Sequence, residues 1–446
     1  MKGKVNVTRI VLLSALFIVA VQMMSCQREA TQSVTVVKAG LLIDGTGNPP
    51  LRDVLIFIEG NRITRVAQQE EIPPGATVVD ASQQVVMPGL IDTHVHPGNR
   101  AIAGPSPEYE ASVRHHLKQN LAFGVTTIFS LGLDPDIIFA LREESWEDGF
   151  DGSRILTAGT GFTAVGGHPT QLGTDLPNQI DDPAQARQRV QELATQGVDG
   201  LKIWLAQISG LPPIKTEVSR AIIEEGHQHN LRTFAHINTA ADTKSLVEAK
   251  LDGITHIARD PYDQETLELM QKQGTIVAPT LVQREKALIF TKESELFEDP
   301  VIRAILGQEV DELKEALAKA GPDVLERMAQ SYQQAKENVL QLKEAGVKLA
   351  VGTDSGTNFA PMGLSTHKEV EAFVDAGLSP MEALVAGTRG SAEWAGVSDR
   401  LGTLEAGKLA DMLILEENPL VDIRNTRKIV KIILGGRVLE PLTVVE

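Results

Sequence analysis

The chain is short of several things, and each shortage closes a class of function. One cysteine, Cys26, stands in 446 residues, so no disulfide can form within the chain and a small cross-linked scaffold is ruled out. Positive charge is scarce: 42 Lys and Arg face 59 Asp and Glu, a formal charge of −17. So acidic a surface repels nucleic-acid phosphates and anionic membranes, and neither is expected as a partner through charge. Low-complexity tracts are lacking as well, and with 42% hydrophobic and 23% charged residues the composition is that of a globular protein with room for one large domain and a smaller one. Long apolar runs are absent but for one, IVLLSALFIVAV near the start, and its twelve residues are too few to span a bilayer comfortably.

That run has a context. It follows the basic MKGKVNVTR and precedes QMMSC, the plan of a secretory signal peptide over residues 1–25. The small residue before Cys26 resembles a bacterial lipobox, with Met23 where Leu is usual. The resemblance implies cleavage before Cys26, lipidation of its thiol, and an exported protein held at the cell envelope by its lipid; Gln27 in place of Asp is similar to lipoproteins sent to an outer membrane. Residues 26–33 read as a polar linker.

Short β-rich runs bounded by Gly, Asn and Pro turn signals occupy both ends: VTVVKAGLLIDG, DVLIFIEGNRITRVA and ATVVDASQQVVM early, LADMLILEENP and KIVKIILGGRVLEP late. They predict a small β-sandwich made from residues 34–86 and 400–446. Between them, over 87–399, strand and helix patterns alternate, which predicts an α/β fold with a parallel sheet. The strand runs are VVMPGLIDTH, VTTIFSLG, RILTAGTG, GLKIWLAQ, RTFAHI, GITHI, TIVAPTL and KLAVGTDS. Eight is the number of a closed (β/α)8 TIM barrel. A charged, helix-prone insertion over about 283–330 separates the seventh run from the eighth and reads either as a lid or as a solvated helical pair.

In a barrel the chemistry lies at the carboxyl ends of the strands. Side chains alternate faces along a strand, so His94 and His96 point the same way, a spacing suited to gripping one ion. The fourth run supplies Lys202, the fifth His236, the sixth His256 and the eighth Asp354, so four of the ten histidines stand at strand ends. Lys202 sits among Leu201, Ile203 and Trp204, where an unpaired ammonium is costly to bury. A desolvated lysine loses its proton readily, and a neutral amine adds carbon dioxide to become a carbamate whose two oxygens can bridge two cations. His115, His116, His227 and His229 are expected to be solvated on helices, and His367 to be structural.

With these residues in place, GLIDTHVH, GLKIW, AHI, THI, GTDSG and the tail LGTLEAGKLADMLIL resemble the amidohydrolase superfamily from residue 34 to 441. Within it the chain is most similar to imidazolonepropionase-related hydrolases, especially the prolidase-like branch that acts on dipeptides and N-acyl amino acids. The resemblance implies two divalent metal ions, with His94, His96, carboxylated Lys202 and Asp354 holding one, and Lys202, His236 and His256 the other. Zinc suits these donors best, with manganese and iron as alternatives. It also implies that His168 binds substrate or its oxyanion, and that Asp354 takes a proton from the metal-activated water and passes it to the leaving amine. INTAADT, after His236, lacks the aromatic residue expected near a dipeptide's carboxylate.

The expected activity is hydrolysis of a C–N bond in a small substrate such as a dipeptide or N-acyl amino acid, by a chain for which a homo-oligomer is one of the states open. The alternatives are a lactonase or phosphotriesterase using the same site, and, from another class, a non-catalytic metal-binding surface lipoprotein.

Overall fold

The computed structural model describes residues 34–98, 107–174, 176–206, 208, 210–356 and 360–445, the side chains of residues 284–286 excepted. The expected leader, the linker and Cys26 lie outside the described residues. Among the described residues no helix is long and apolar enough to cross a membrane.

The chain opens with β1 (Thr35–Leu42), β2 (Leu51–Glu59), β3 (Arg62–Gln68) and β4 (Thr77–Pro88). Ten parallel segments follow: β5 (Leu90–Val95), β6 (Val125–Ser130), β7 (Arg154–Thr157), β8 (Phe162–Thr163), β9 (Asn178–Gln179), β10 (Gly200–Trp204), β11 (Arg232–His236), β12 (Gly253–Thr255), β13 (Ile276–Ala278) and β14 (Lys348–Leu349). The chain closes with β15 (Met412–Leu415), β16 (Ile429–Leu434) and β17 (Arg437–Leu439).

Both chain ends share one mixed sheet, ordered β17-β16-β15-β4-β1-β2-β3. Apolar residues on alternate positions of several strands, Val37, Ala39, Val54, Ile56, Ile414 and Ile433 among them, bury against one another, which is what unites segments some 350 residues apart in sequence. The sheet curls back on itself: Ile63 donates to the Lys408 carbonyl and Gly407 to that of Ile63, so edge strand β3 is bonded to the segment leading into β15. A bonded edge is closed to other chains.

β4 runs almost directly into β5 through Gly89. A Cβ there would lie 2.3 Å from the Thr126 hydroxyl, so only glycine lets the first parallel strand pack this closely on the second. The parallel segments form two sheets, β5-β6-β7 and β14-β13-β12-β11-β10-β8-β9. β7 lies in the third strand run and β8 just beyond its end, one in each sheet, and the Asp199 amide donates to the Thr157 carbonyl at 2.8 Å, linking β7 to the segment before β10. At the other margin Val95 bridges Ser355, and Thr93 donates to the Val351 carbonyl at 2.9 Å. The first and eighth strand runs are therefore neighbours. The architecture is α/β and parallel, as expected.

Helices alternate with these strands, and their ends follow from local chemistry. Pro183–Gln196 begins at Asp182, whose carboxylate accepts the Gln185 amide, carries proline in its first turn and stops at Gly197 with φ 83°. Ala240–Glu248 begins with a reciprocal cap between Thr239 and Asp242. The excursion between β13 and β14 is wider than the expected 283–330: helices Leu281–Lys292, Pro300–Leu306, Glu309–Ala318 and Pro322–Glu344 fill it. It is packed rather than simply solvated, since Phe290, Phe297, Val339 and Leu342 are buried and Asn338 donates to the Ala258 and Asp260 carbonyls.

Candidate metal centre

β5 carries Asp92 and His94, and His96 follows just past its end, where the strand's pairing with β6 shifts register between Asp92 and Val95. His94 and His96 are 1% and 4% exposed, and Asp354 is 3% exposed. One ligand atom from each lies within 4.8 Å of the other two. Asp354 reaches this place through the neighbouring of the first and eighth strand runs: its amide donates to the His94 carbonyl at 2.6 Å, and its φ of 55° turns the chain sharply. A non-glycine residue in that region is strained, and such strain gathers where geometry matters.

Hydrogen bonding fixes which nitrogens face inward. His96 Nδ1 lies 3.1 Å from the Gly132 carbonyl, which can only accept, so Nδ1 carries the proton and Nε2 presents a lone pair. That lone pair is 3.0 Å from Asp354 Oδ1, and His94 Nε2 is 3.4 Å from the same oxygen. Atoms placed so close can share one cation. His94 Nδ1, buried, has no hydrogen-bond partner among the described residues. Burial, then the charge of Lys202, holds the His94 imidazole well below the usual histidine range, which keeps it neutral and able to ligate. The donor set fits a divalent metal: two neutral imidazoles and a carboxylate, dry and convergent.

Asp92, whose carboxylate lies one pleat below, acts through the backbone. It accepts the amides of His94 and Thr353 and the hydroxyls of Thr353 and Thr366, tying the first strand to the eighth. Burial pushes its carboxyl up to about 6, against the pull of those donors.

The second group is looser. His236 and His256 rings meet at 4.2 Å, His256 and His94 at 5.1 Å, and His168 and His236 at 5.3 Å. His168, His236 and His256 are half-buried. His256 has φ 69°, and its Nδ1 lies 2.6 Å from the Thr280 hydroxyl. Burial, then His256 and Lys202, keeps the His236 imidazole well below its ordinary range. Lys202 lies between the groups, fully buried, and its Nζ donates to the Thr255 hydroxyl at 2.9 Å. His168 Nδ1 accepts from the Gln171 amide at 2.7 Å, which leaves its proton on Nε2 as a donor.

Of the other histidines, His115, His227 and His229 are exposed. His116 departs from expectation: it is half-buried, with Nδ1 2.6 Å from the Pro97 carbonyl, because its helix packs under the loop leaving His96. His367 is buried between the Phe123 carbonyl and Thr426, and burial pushes its pKa down to about 4. Gln283 escaped sequence reasoning. Its amide donates to Asp354 Oδ2 at 2.8 Å, but it stands at the start of the insertion, in a run with no motif.

Residues 85–439 match the amidohydrolase family. An ochratoxinase from Aspergillus niger is 25% identical over 434 residues, covering 88% of this chain and 83% of that protein. Among solved structures, a protein from Bifidobacterium longum taken for a prolidase is 27% identical with a TM-score of 0.74, covering 92% of this chain and 95% of its own. A Xaa-Pro dipeptidase with bound methionine in its active site is 24% identical with a TM-score of 0.73, covering 92% and 100%.

Proposed function

The chain belongs to the amidohydrolase family and is a metal-dependent hydrolase of C–N bonds, and we propose that it cleaves the amide of a dipeptide or N-acyl amino acid at a two-metal site. The observation that carries the reading is the dry convergence of His94, His96 and Asp354 beside the buried Lys202. On this proposal the eight strand runs form a (β/α)8 barrel beside a β-sandwich. His94, His96, Asp354 and a Lys202 carbamate would hold one ion, most suitably zinc, and the carbamate with His236 and His256 the other. The names of the relatives support the substrate class, since ochratoxinase and a Xaa-Pro dipeptidase are among them.

When bound, the cations supply an acidified water and a Lewis acid for the scissile carbonyl. The chain's own residues do the rest. Asp354 takes up a proton on its carboxylate and releases it to the departing amine, with Gln283 steadying the oxygen it bonds. His168 turns its Nε2 proton toward the substrate oxygen as charge gathers there. The packed walls around Lys202 exclude water from its Nζ, the atom on which a carbamate would form.

A metal-loaded chain assayed against dipeptides, N-acyl amino acids, lactones and phosphotriesters tests the reading. Hydrolysis of amides above the other classes is expected; lactone or phosphotriester hydrolysis alone would reject it. Attachment to the envelope through a lipid on Cys26 is a separate proposal, supported only by the basic, apolar and MMSC segments, and an unacylated, uncleaved Met1 terminus in the native host would end it.

A further inference from the structure

Glu369 is a fully buried carboxylate that the chemistry above leaves without a task. It lies on the helix Leu364–Asp375, one turn beyond Thr366, the residue that steadies Asp92. Its two oxygens accept the amides that open the helix Leu281–Lys292, Leu281 at 2.9 Å on Oε1 and Val282 at 2.8 Å on Oε2. That helix has no side-chain cap of its own, and Thr280 before it is buried with φ 52°, in the left-handed region. Without Glu369 a strained reversal would end in buried amides lacking partners, a costly arrangement. A carboxyl group is suited to that place, since each of its two oxygens accepts one of the two hydrogens. Burial, with Asp92 nearby, pushes its carboxyl up to about 8, so the placement works against the group's own solvation.

The anchored turn faces the candidate centre twice. The Thr280 hydroxyl is 2.6 Å from His256 Nδ1, and Gln283 Nε2 is 2.8 Å from Asp354 Oδ2. His256 can offer its Nε2 lone pair to a metal only when Nδ1 holds the proton, and the Thr280 hydroxyl, which can accept as well as donate, stands where it can receive that proton's hydrogen bond. We propose that Glu369 is a positioning residue: by holding the Leu281 and Val282 amides it fixes Thr280 and Gln283, and through them the His256 ring and the Asp354 carboxylate. The proposal rests on the two-metal reading for its metal readout alone.

Glu369→Gln tests it, because the amide keeps the size and one acceptor oxygen but turns an NH2 toward a helix N–H. In the full chain, hydrogen exchange at Leu281 and Val282 should quicken by at least ~10-fold, an opening confined to that turn. Nitrogen NMR of metal-free protein should show His256 leaving a single Nδ1-protonated tautomer for a mixture. Affinity for the zinc ion on His236 and His256 should weaken at least ~10-fold, the lower range for loss of a supporting hydrogen bond, and that for the ion on Asp354 by less, since His94 and His96 also hold it. Unchanged exchange, or faster exchange with an unchanged His256 tautomer, overturns the proposal. Should Glu369→Gln fail to fold, Thr280→Val tests the same link from its other end: it should mix the His256 tautomers with Leu281 and Val282 still protected, and an unmixed tautomer again overturns the proposal. If the parent chain takes up no zinc, the two-metal reading falls, while exchange and tautomer still decide the role of Glu369.

Discussion

The two halves of the candidate centre are built in different ways. His94 lies in β5 and His96 just past its end; both are almost wholly buried, and Asp92 below accepts four hydrogen bonds, one from the His94 amide and three from Thr353 and Thr366. His236 and His256 come one each from two strand ends and are half-buried, and His256 meets a neighbouring turn through the Thr280 hydroxyl. A site braced by strand backbone holds its geometry before any ion arrives. A site braced by a loop hydroxyl is completed by the ion and by that loop. The first half should therefore bind tightly and the second exchange, with Lys202 as the hinge of chemistry between them.

The largest expected effect would come from Asp354→Asn, which retains shape and one oxygen for coordination but removes the titratable carboxylate. Turnover on an amide should fall by at least ~10²-fold with metal content largely kept, read by steady-state kinetics beside elemental analysis. Near-normal turnover would move the proton's carrier elsewhere. Lys202→Ala should follow, with loss of the ion held by His236 and His256 and partial recovery of activity on adding short carboxylic acids; retention of two equivalents would sever the link between the halves. A chelator titration sharpens the same comparison without mutation, since one ion should leave well before the other, and simultaneous release would show the halves to be equivalent.

Gly356→Ala acts on the first half alone. This glycine has φ 83°, and a Cβ would sit 2.0 Å from the His96 carbonyl oxygen, so the turn after Asp354 must shift. Left-handed strain alone is on the order of 1–3 kcal/mol, visible as a lower midpoint in urea, and an unchanged midpoint would mean the turn can relax freely. The last comparison concerns pH. The Glu369 carboxyl is pushed up to about 8 from an ordinary 4.5, so the folded chain holds this proton more tightly than the unfolded one. Its contribution is present in full below the ordinary value and is lost as pH rises through the folded value. Relative to Glu369→Gln, the parent chain should lose stability between pH 5 and pH 8, and parallel stability curves would remove the basis for that shift.

Much of the centre was legible because strand periodicity is local. His94 and His96 share a face by alternation, and both stand at the end of a run whose apolar residues already mark it as a strand. Helix bounds were legible where caps are written in sequence, as at Asp182 and Gly197. Other features were not. His116 looked like any helical histidine, and its burial comes from packing beneath Pro97. The helical excursion extended beyond 283–330 because the residues that tie it down, such as Asn338, pair with carbonyls far away in the chain. Gln283 and Glu369 carried no motif, since each works through contacts to residues more than seventy positions distant.

By itself, then, the sequence determined the acidic character of the chain, the alternation of parallel strands with helices, and which residue types stand at strand ends, since these follow from composition and from periods of two and 3.6 residues. The tertiary structure alone decided that Asp354 lies against His94 and His96 and that one buried helix braces both halves through Thr366 and Glu369. Those contacts depend on the first strand run lying beside the eighth, and no local pattern in a chain encodes which distant segments will be brought together or how much water their meeting will exclude.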